Sequence, residues 1–254
     1  MILGIDIGGT HTDAVCIEGR KIVSSAKALT RDDLVQSVIE VAGRLDISYS
    51  AIDRVVLSTT LSTNAIIERK FAPTGMIVSA GPGIDPRQYF LTADFHLIDG
   101  AIDHRGREYI PIRNDQIIAT AEKLKQKDIT GVGVVSKFSV RNPVHETQIH
   151  ALIEKDFENI SLGHTMSGSL NFYRRLNTTY FNTAVTPVQE RFVKSVRQAL
   201  QQLGISCPMF FLKADGGTYS SSAAHRLPVE TILSGPAASM MGAVALCEDP
   251  SKTT

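Results

Sequence analysis

Alternating and periodic apolar positions along the chain predict a sheet flanked by helices. Residues 2–8 and 12–18 alternate as two strands, and residues 21–28 predict a third, so the chain begins with a β-meander. Apolar residues at helical spacing predict a helix over residues 31–45, with Thr30 as its N-cap. Strands and helices alternate after the meander, which is typical of an α/β fold with a mixed sheet.

The same criteria predict the remaining elements. Further strands are expected near residues 55–57, 76–78, 131–135, 159–163 and 209–213. Further helices are expected over residues 61–69 and 113–126, after the cap Asn142 with Pro143 at the first position, over residues 174–203 with a break or kink at Pro187, and from Ser234. Residues 85–112 are irregular and form an inserted segment of a first predicted domain, residues 1–168, and residues 169–254 begin a second.

The charge balance and apolar content narrow the possible function classes. The 254 residues are 43% hydrophobic and carry 26 basic and 26 acidic side chains, so the chain can bury a large core and has no net charge. This balance gives no support to nucleic acid or an anionic membrane as a partner. No apolar run approaches the about 20 residues of a membrane span and no signal peptide is recognised, which predicts a cytoplasmic protein. Three widely spaced cysteines (Cys16, Cys207 and Cys247) predict buried, reduced thiols, and the scattered histidines predict no zinc site.

The first corner of the meander carries a cluster of polar residues, Asp-Ile-Gly-Gly-Thr-His-Thr-Asp at residues 6–13. It matches neither the P-loop nor the dinucleotide-binding fingerprint. Gly8 and Gly9 allow backbone N–H groups to approach an anion, and Thr10 and Thr12 add hydroxyl donors. Asp6 at the strand end is suited to a hydrated Mg²⁺. From the residues alone, a phosphate-binding loop and an ordinary hairpin turn are equally good interpretations.

A second polar cluster, Ser58-Thr59-Thr60 with Asn64, lies where a strand ends and a helix begins. Helix N-termini bind anions, so this cluster is a candidate wall of a catalytic cleft, although helix capping by Ser or Thr explains the same pattern. The loop at residues 79–83 follows another strand and is either a ligand loop or a plain turn.

Several segments resemble, in order, the hydantoinase/5-oxoprolinase proteins of the actin-like ATPase and sugar-kinase superfamily. They are residues 6–13, 58–69, 142–146, 178–182, 215–217 and 228–238. The chain departs from the family pattern at His11, where the family has Phe, and at Thr165 and Arg174, where the family has acidic residues. Residues 215–218 echo the opening loop, yet the resemblance places the second phosphate loop beyond the helix that starts at Ser234.

The resemblance implies a ribonuclease-H-like first lobe, ATP and Mg²⁺ as cofactors, and an enzyme that activates a lactam or hydantoin by phosphorylation and opens the ring with water. It implies Asp6 as the catalytic and metal-binding residue. The nucleotide-binding residues that it implies are Gly8, Gly9, Thr10, His11, Thr12, Asp13, Thr59, Thr60 and Asn64. A second hydantoinase/oxoprolinase subunit or domain is the expected partner.

Because the second phosphate loop is not recognised within 254 residues, the architecture is expected to be an incomplete two-lobed one and the chain inactive alone. A small-molecule kinase of the same superfamily and a non-catalytic regulatory or assembly subunit are the alternatives. Phosphorylated product without ring opening would identify the kinase, and a cleft unable to bind nucleotide would favour the subunit.

Overall fold

The computed structural model describes residues 1–89, 92–224 and 226–246, with the side chains of Tyr89 and Leu246 left aside. Within these ranges no helix has the length and apolar character needed to span a membrane. Cys16 is buried and Cys207 is half-buried, and burial raises the pKa of both thiols. Cys247 lies outside the described residues.

The predicted strands and helices occur in the predicted order, and the structure adds several short elements between them. The strands are β1 (Ile2–Ile7), β2 (His11–Glu18), β3 (Lys21–Leu29), β4 (Arg54–Thr59), β5 (Thr74–Ser79), β6 (Phe95–Leu97), β7 (Ala101–Ile102), β8 (Glu108–Ile110), β9 (Gly131–Ser136), β10 (Asn159–Leu162), β11 (Met209–Leu212) and β12 (Thr218–Ser220). The helices are α1 (Leu34–Gly43), α2 (Leu61–Ile67), α3 (Asn114–Lys125), α4 (Val144–Ile153), α5 (Gly163–Met166), α6 (Phe172–Gln202), α7 (Ser221–Ala224) and α8 (Ser234–Leu246).

The chain divides into two compact units. Unit 1 comprises Met1–Lys70 and Pro187–Thr254, and unit 2 comprises Phe71–Thr186. The predicted domain division into residues 1–168 and 169–254 stays a prediction. The compact units differ from this predicted division, because the chain leaves unit 1 after Lys70 and re-enters unit 1 within α6.

Unit 1 contains a mixed sheet in the order β12-β11-β4-β1-β2-β3. The meander β1-β2-β3 is antiparallel, whereas β4 and β11 run parallel to β1, as the α/β prediction requires. Alternation places Leu3, Ile5 and Ile7 on one face, where they are buried in a core shared with α1 and the second half of α6. The opposite face carries Ile2, Gly4 and the exposed Asp6.

Unit 2 contains a parallel sheet in the order β10-β9-β5-β6. Every residue of β5 and β9 is buried, which is typical of parallel strands covered on both faces. The short hairpin β7-β8 forms a separate two-stranded sheet in the irregular segment.

The long helix α6 is continuous across Pro187, so a break there is wrong, and the alternative of a kink stays a prediction. Proline has no N–H and therefore leaves the carbonyl of Thr183, four residues earlier, without its helical partner. The Asn159 side chain donates to this carbonyl at 3.2 Å and replaces the missing bond. A side chain that is distant in sequence thus supports the helix at its weakest point.

The N-cap of α1 is Asp33, so the prediction of Thr30 is wrong. The Asp33 carboxylate accepts from the N–H groups of Val35 and Gln36, and a carboxylate is a good cap for free helical donors. At α4 the N-cap position belongs to Pro143, one residue later than predicted, although Asn142 still accepts from the Val144 N–H at 3.1 Å.

Candidate functional site

Three parallel strands of unit 1 end at the same edge of the sheet. The opening loop follows β1, the segment leading to α2 follows β4, and residues 213–217 follow β11. Ligands of open α/β sheets commonly bind at the carboxyl ends of the strands. This edge therefore brings together the loops that the sequence marks as chemically unusual.

The opening loop is closely packed at its two glycines. The Gly8 N–H donates to the His11 carbonyl at 3.0 Å, and a Cβ on Gly8 would lie 3.1 Å from that oxygen. A Cβ on Gly9 would lie 3.3 Å from Nδ2 of Asn64. Neither glycine has a positive φ, so close approach rather than backbone conformation explains the Gly-Gly pair.

Thr30 holds the opening loop from the side of β3. Its N–H donates to the Thr10 carbonyl at 2.9 Å, and its hydroxyl donates to the Gly8 carbonyl at 2.8 Å. The Thr12 and Thr30 hydroxyls are also hydrogen-bonded, at 2.9 Å. Thr12 is fully buried and paired with Ile7 on the core face, so its hydroxyl fixes the loop from below and does not reach the opposite face.

A row of polar side chains crosses the opposite face of the sheet. Asp6 is in register with Asp13 of β2 and with Ser58 of β4, and Asp13 is in register with Lys27 of β3. Directly paired residues share a face, so the four side chains form one line across four strands. Lys27 Nζ lies 3.1 Å from Oδ1 of Asp13. Asp6 is exposed on this face.

The polar row lines a cavity of about 680 Å³ that α8 covers in part. Asp6, Asp13, Lys27 and Ser58 contribute polar atoms, and Gly235, Ala238 and Ser239 contribute one side of α8. Ser58 is 5% exposed, and its hydroxyl has no hydrogen-bond partner within the described residues. A buried hydroxyl that faces a cavity without a partner is suited to a polar ligand. Two carboxylates and this hydroxyl fit a hydrated Mg²⁺ with phosphate oxygens.

The predicted residues after β4 have different roles. Thr59 is 1% exposed, donates to the Ile7 carbonyl at 3.2 Å and accepts from the Leu61 N–H at 3.1 Å, which is the geometry of a helix cap. Asn64 donates to the Thr60 hydroxyl at 3.3 Å and lies beside Gly9. Thr60 and Asn64 are therefore brought to the opening loop, whereas the Thr59 hydroxyl is turned into the fold.

His11 lies apart from the polar row. It is exposed and lines a second cavity of about 740 Å³, together with Arg31, Glu40 and Arg44. Lys27 lines both cavities and was missed by sequence reasoning, whereas Ser58 was predicted as part of a cleft wall but not among the nucleotide-binding residues. One feature of the sequence could have indicated Lys27: it is a basic residue on β3, the strand that pairs with β2, which carries Asp13.

The loop at residues 213–217 satisfies its own acidic residue. Asp215 accepts from the Gly217 N–H at 2.9 Å and from Lys213 Nζ at 2.9 Å, and these bonds hold the pKa of its carboxyl below the ordinary value. Lys213 also pairs with Glu230 at 3.2 Å. Residues 213–217, which resemble the opening loop in sequence, therefore form a turn whose acidic residue is hydrogen-bonded within the turn.

Unit 2 contains a polar cluster and a cavity of its own. Ser79, at the end of β5, donates to the Gly100 carbonyl at 3.0 Å and lies 3.3 Å from Nδ1 of the fully buried His145. The loop after β5 lines a cavity of about 660 Å³ with Arg87 and Arg113. Arg87 donates a hydrogen bond to Asp85, and Arg113 donates one to Asp115. The described contacts in this cavity do not identify a nucleophile or a general base.

Two protein-family models match this chain and show which family it belongs to. A family model described as the hydantoinase/oxoprolinase N-terminal region matches residues 2–157, which is more than half of the chain. The chain belongs to the hydantoinase/oxoprolinase family. A second model, described as hydantoinase/oxoprolinase, matches residues 175–253. All six segments that carry the resemblance thus lie inside the matched regions, as do the polar row and α8.

Individual relatives are distant but extend over nearly the whole chain. The caprolactamase subunit alpha of Pseudomonas jessenii is 25% identical, and the acetone carboxylase beta subunit of Xanthobacter autotrophicus is 23% identical, each over 97% of this chain. The chain covers 40% of the length of each.

Two solved structures share the mixed α/β fold. The nucleotide-free structure of acetone carboxylase has a TM-score of 0.83 at 21% identity, and the ATP-dependent caprolactamase of Pseudomonas jessenii has a TM-score of 0.78 at 22% identity. In each case the similarity covers 97% of this chain and 40% of the other.

Proposed function

We propose that this chain supplies the first phosphate- and metal-binding half of an ATP-dependent enzyme that opens a cyclic amide with water. The polar row of Asp6, Asp13, Lys27 and Ser58 beside the opening loop is the observation that carries the proposal. Family membership and the ATP-dependent relatives, one of which is a caprolactamase, support it.

We further propose that unit 1 has the ribonuclease-H-like fold of actin-like ATPases. An antiparallel meander continued by two parallel strands, with the Gly-Gly loop at its first corner, supports this assignment. In such a fold a second lobe would provide the opposing phosphate loop.

The residues of the cavity divide into ligands and supports. Asp6 and Asp13 would hold Mg²⁺, and the backbone N–H groups of the loop with Thr10 would hold phosphate. Thr60 and Asn64 position Gly9 from the side of α2. Bound Mg²⁺ would neutralise the charge that develops on the phosphate oxygens. Thr12 and Thr59 keep the loop in place through their buried bonds.

The proposed net reaction consumes one cyclic amide, one ATP and two water molecules. One water opens the amide bond to a carboxylate and an amine, and one is used in converting ATP to ADP and phosphate. An amide carbon is a poor electrophile, and transfer of the terminal phosphoryl group of ATP to the amide oxygen would make that carbon more open to attack by water. A second subunit or domain, as in the subunit-named relatives, would complete the site.

The experiment is a product assay with the protein purified together with its natural partner. Lactams and hydantoins are incubated with Mg-ATP, and the ring-opened amino acid and ADP are measured. We expect equal amounts of the two products with at least one ring, and loss of both in Asp6→Ala. The matched control Asp46→Ala, an exposed acid away from the cavity, keeps the activity. A phosphorylated product with an intact ring would contradict the proposal and identify a kinase.

A further inference from the structure

Lys27 occupies an unusual position between two cavities. Its side chain lines the cavity of the polar row and also the neighbouring cavity that contains His11. It is 59% exposed and paired with Asp13, which is 47% exposed. Lys27 is not among the nucleotide- and metal-binding residues that the sequence led us to expect.

We propose that Lys27 is a positioning cation that exchanges Asp13 for a phosphate group of the ligand when a divalent cation binds at Asp6 and Asp13. The inference rests on the proposed function and adds to it a residue and an order of events. In the structure, the Lys27 ammonium lies 3.1 Å from Oδ1 of Asp13, where the divalent cation would bind.

The register of the sheet makes such an exchange geometrically simple. Asp13 has Lys27 on one side and Asp6 on the other, each one strand away. Neighbouring strands are about 4.8 Å apart, so Lys27 and Asp6 arise about 10 Å apart on one face. The flexible four-carbon stem of lysine allows its ammonium to move towards a phosphate held above the row.

The energetics favour an exchange over a permanent ion pair. Exposed pairs of this kind contribute little because water and salt screen them. A divalent cation has twice the charge of the ammonium and would displace it from Asp13. The released ammonium then meets the phosphate oxygens, where a charge-assisted hydrogen bond is stronger.

This order of events predicts opposite effects of one substitution. In Lys27→Met, Asp13 loses its competing cation, so metal binding without nucleotide becomes tighter. The same variant lacks the ammonium that contacts phosphate, so binding of Mg-ATP becomes weaker. A lysine that merely stabilised the sheet would weaken both or neither.

The test measures two affinities in the protein purified with its partner. Free Mn²⁺ is titrated by electron paramagnetic resonance without nucleotide, and Mg-ATP binding is measured by calorimetry. For Lys27→Met and Lys27→Gln we expect Mn²⁺ to bind several-fold tighter and Mg-ATP about tenfold weaker. Lys27→Arg keeps most of the Mg-ATP affinity, and Lys21→Met, an exposed lysine on the same strand outside both cavities, changes neither value.

The outcomes separate this inference from the function on which it rests. If wild type binds Mg-ATP but Lys27→Met and Lys27→Gln leave both affinities unchanged, or shift both in the same direction, the exchange is wrong and the proposed function stands. If wild type binds neither Mn²⁺ nor Mg-ATP, the proposed function itself fails, and the role of Lys27 fails with it.

Discussion

Replacement of Glu146 by Gln is expected to destabilise unit 2 strongly. Glu146 is fully buried, and its carboxylate accepts three hydrogen bonds. Oε1 accepts from the Ser136 N–H at 2.7 Å, and Oε2 accepts from the N–H and Nδ1 of His164 at 2.7 and 2.6 Å. The carboxylate also opposes the buried guanidinium of Arg175, whose pKa burial lowers and Glu146 partly restores.

The magnitude follows from the contacts that an amide cannot make. A glutamine at this position turns its NH₂ group towards at least one donor, so at least one buried N–H loses its acceptor, at a cost of about 1–3 kcal/mol. The Arg175 guanidinium donates to the Ser169 and Ser136 carbonyls and, among the described contacts, forms no ion pair with Glu146, so loss of the Glu146 charge adds only a smaller electrostatic cost. The lost hydrogen bonding therefore sets the magnitude, and we expect the free energy of unfolding to fall by about 1–3 kcal/mol.

Urea denaturation followed by circular dichroism measures this change, since the chain has no tryptophan for fluorescence. The control is Glu154→Gln at the exposed end of α4, for which a change within about 0.5 kcal/mol is expected. A Glu146→Gln variant within about 0.5 kcal/mol of wild type would refute the reasoning.

Two further predictions concern the opening loop and a half-buried histidine. Thr30→Val removes the bonds to Gly8 and Thr12 and should cost about 1–2 kcal/mol in urea denaturation; the exposed Thr10→Val should cost little, and equal stability of the two variants would contradict the role of Thr30. Burial lowers the pKa of His96 below its ordinary 6.5. The unfolded chain therefore takes up a proton first as pH falls below about 6.5, so stability decreases there. His96→Asn should flatten this decrease in a series of urea titrations from neutral to acidic pH, and an unchanged slope would rule out His96 as its source.

The apolar pattern predicts most of the architecture because it records burial directly. Alternation in β1 indicates a half-exposed strand and the apolar run of β9 before Ser136 indicates a covered one, and the structure has both. Pro187 shows where local reasoning fails, because the rule that proline breaks a helix does not include the Asn159 side chain that replaces its bond.

The sequence predicted the opening loop of the candidate site but not every side chain of the polar row. A register shift between Cys16 and Ile17 moves the pairing of β2 with β3 by one residue, and the shifted register places Lys27 opposite Asp13. A shift of one residue exchanges the two faces of a strand, so the sequence alone could not place Lys27 on the polar row. Thr12 lies on the core face because it is paired with Ile7 of β1, and its role in binding stays a prediction.

Mg-ATP binding, measured by calorimetry on the protein purified with the partner subunit proposed above, tests the central claim most directly. We predict that wild type binds Mg-ATP and that Asp6→Asn, which keeps the size of the side chain but removes its charge, loses Mg²⁺-dependent binding. Absence of binding by wild type, or equal binding by Asp6→Asn, would contradict the assignment of the polar row beside the opening loop as the nucleotide and metal site.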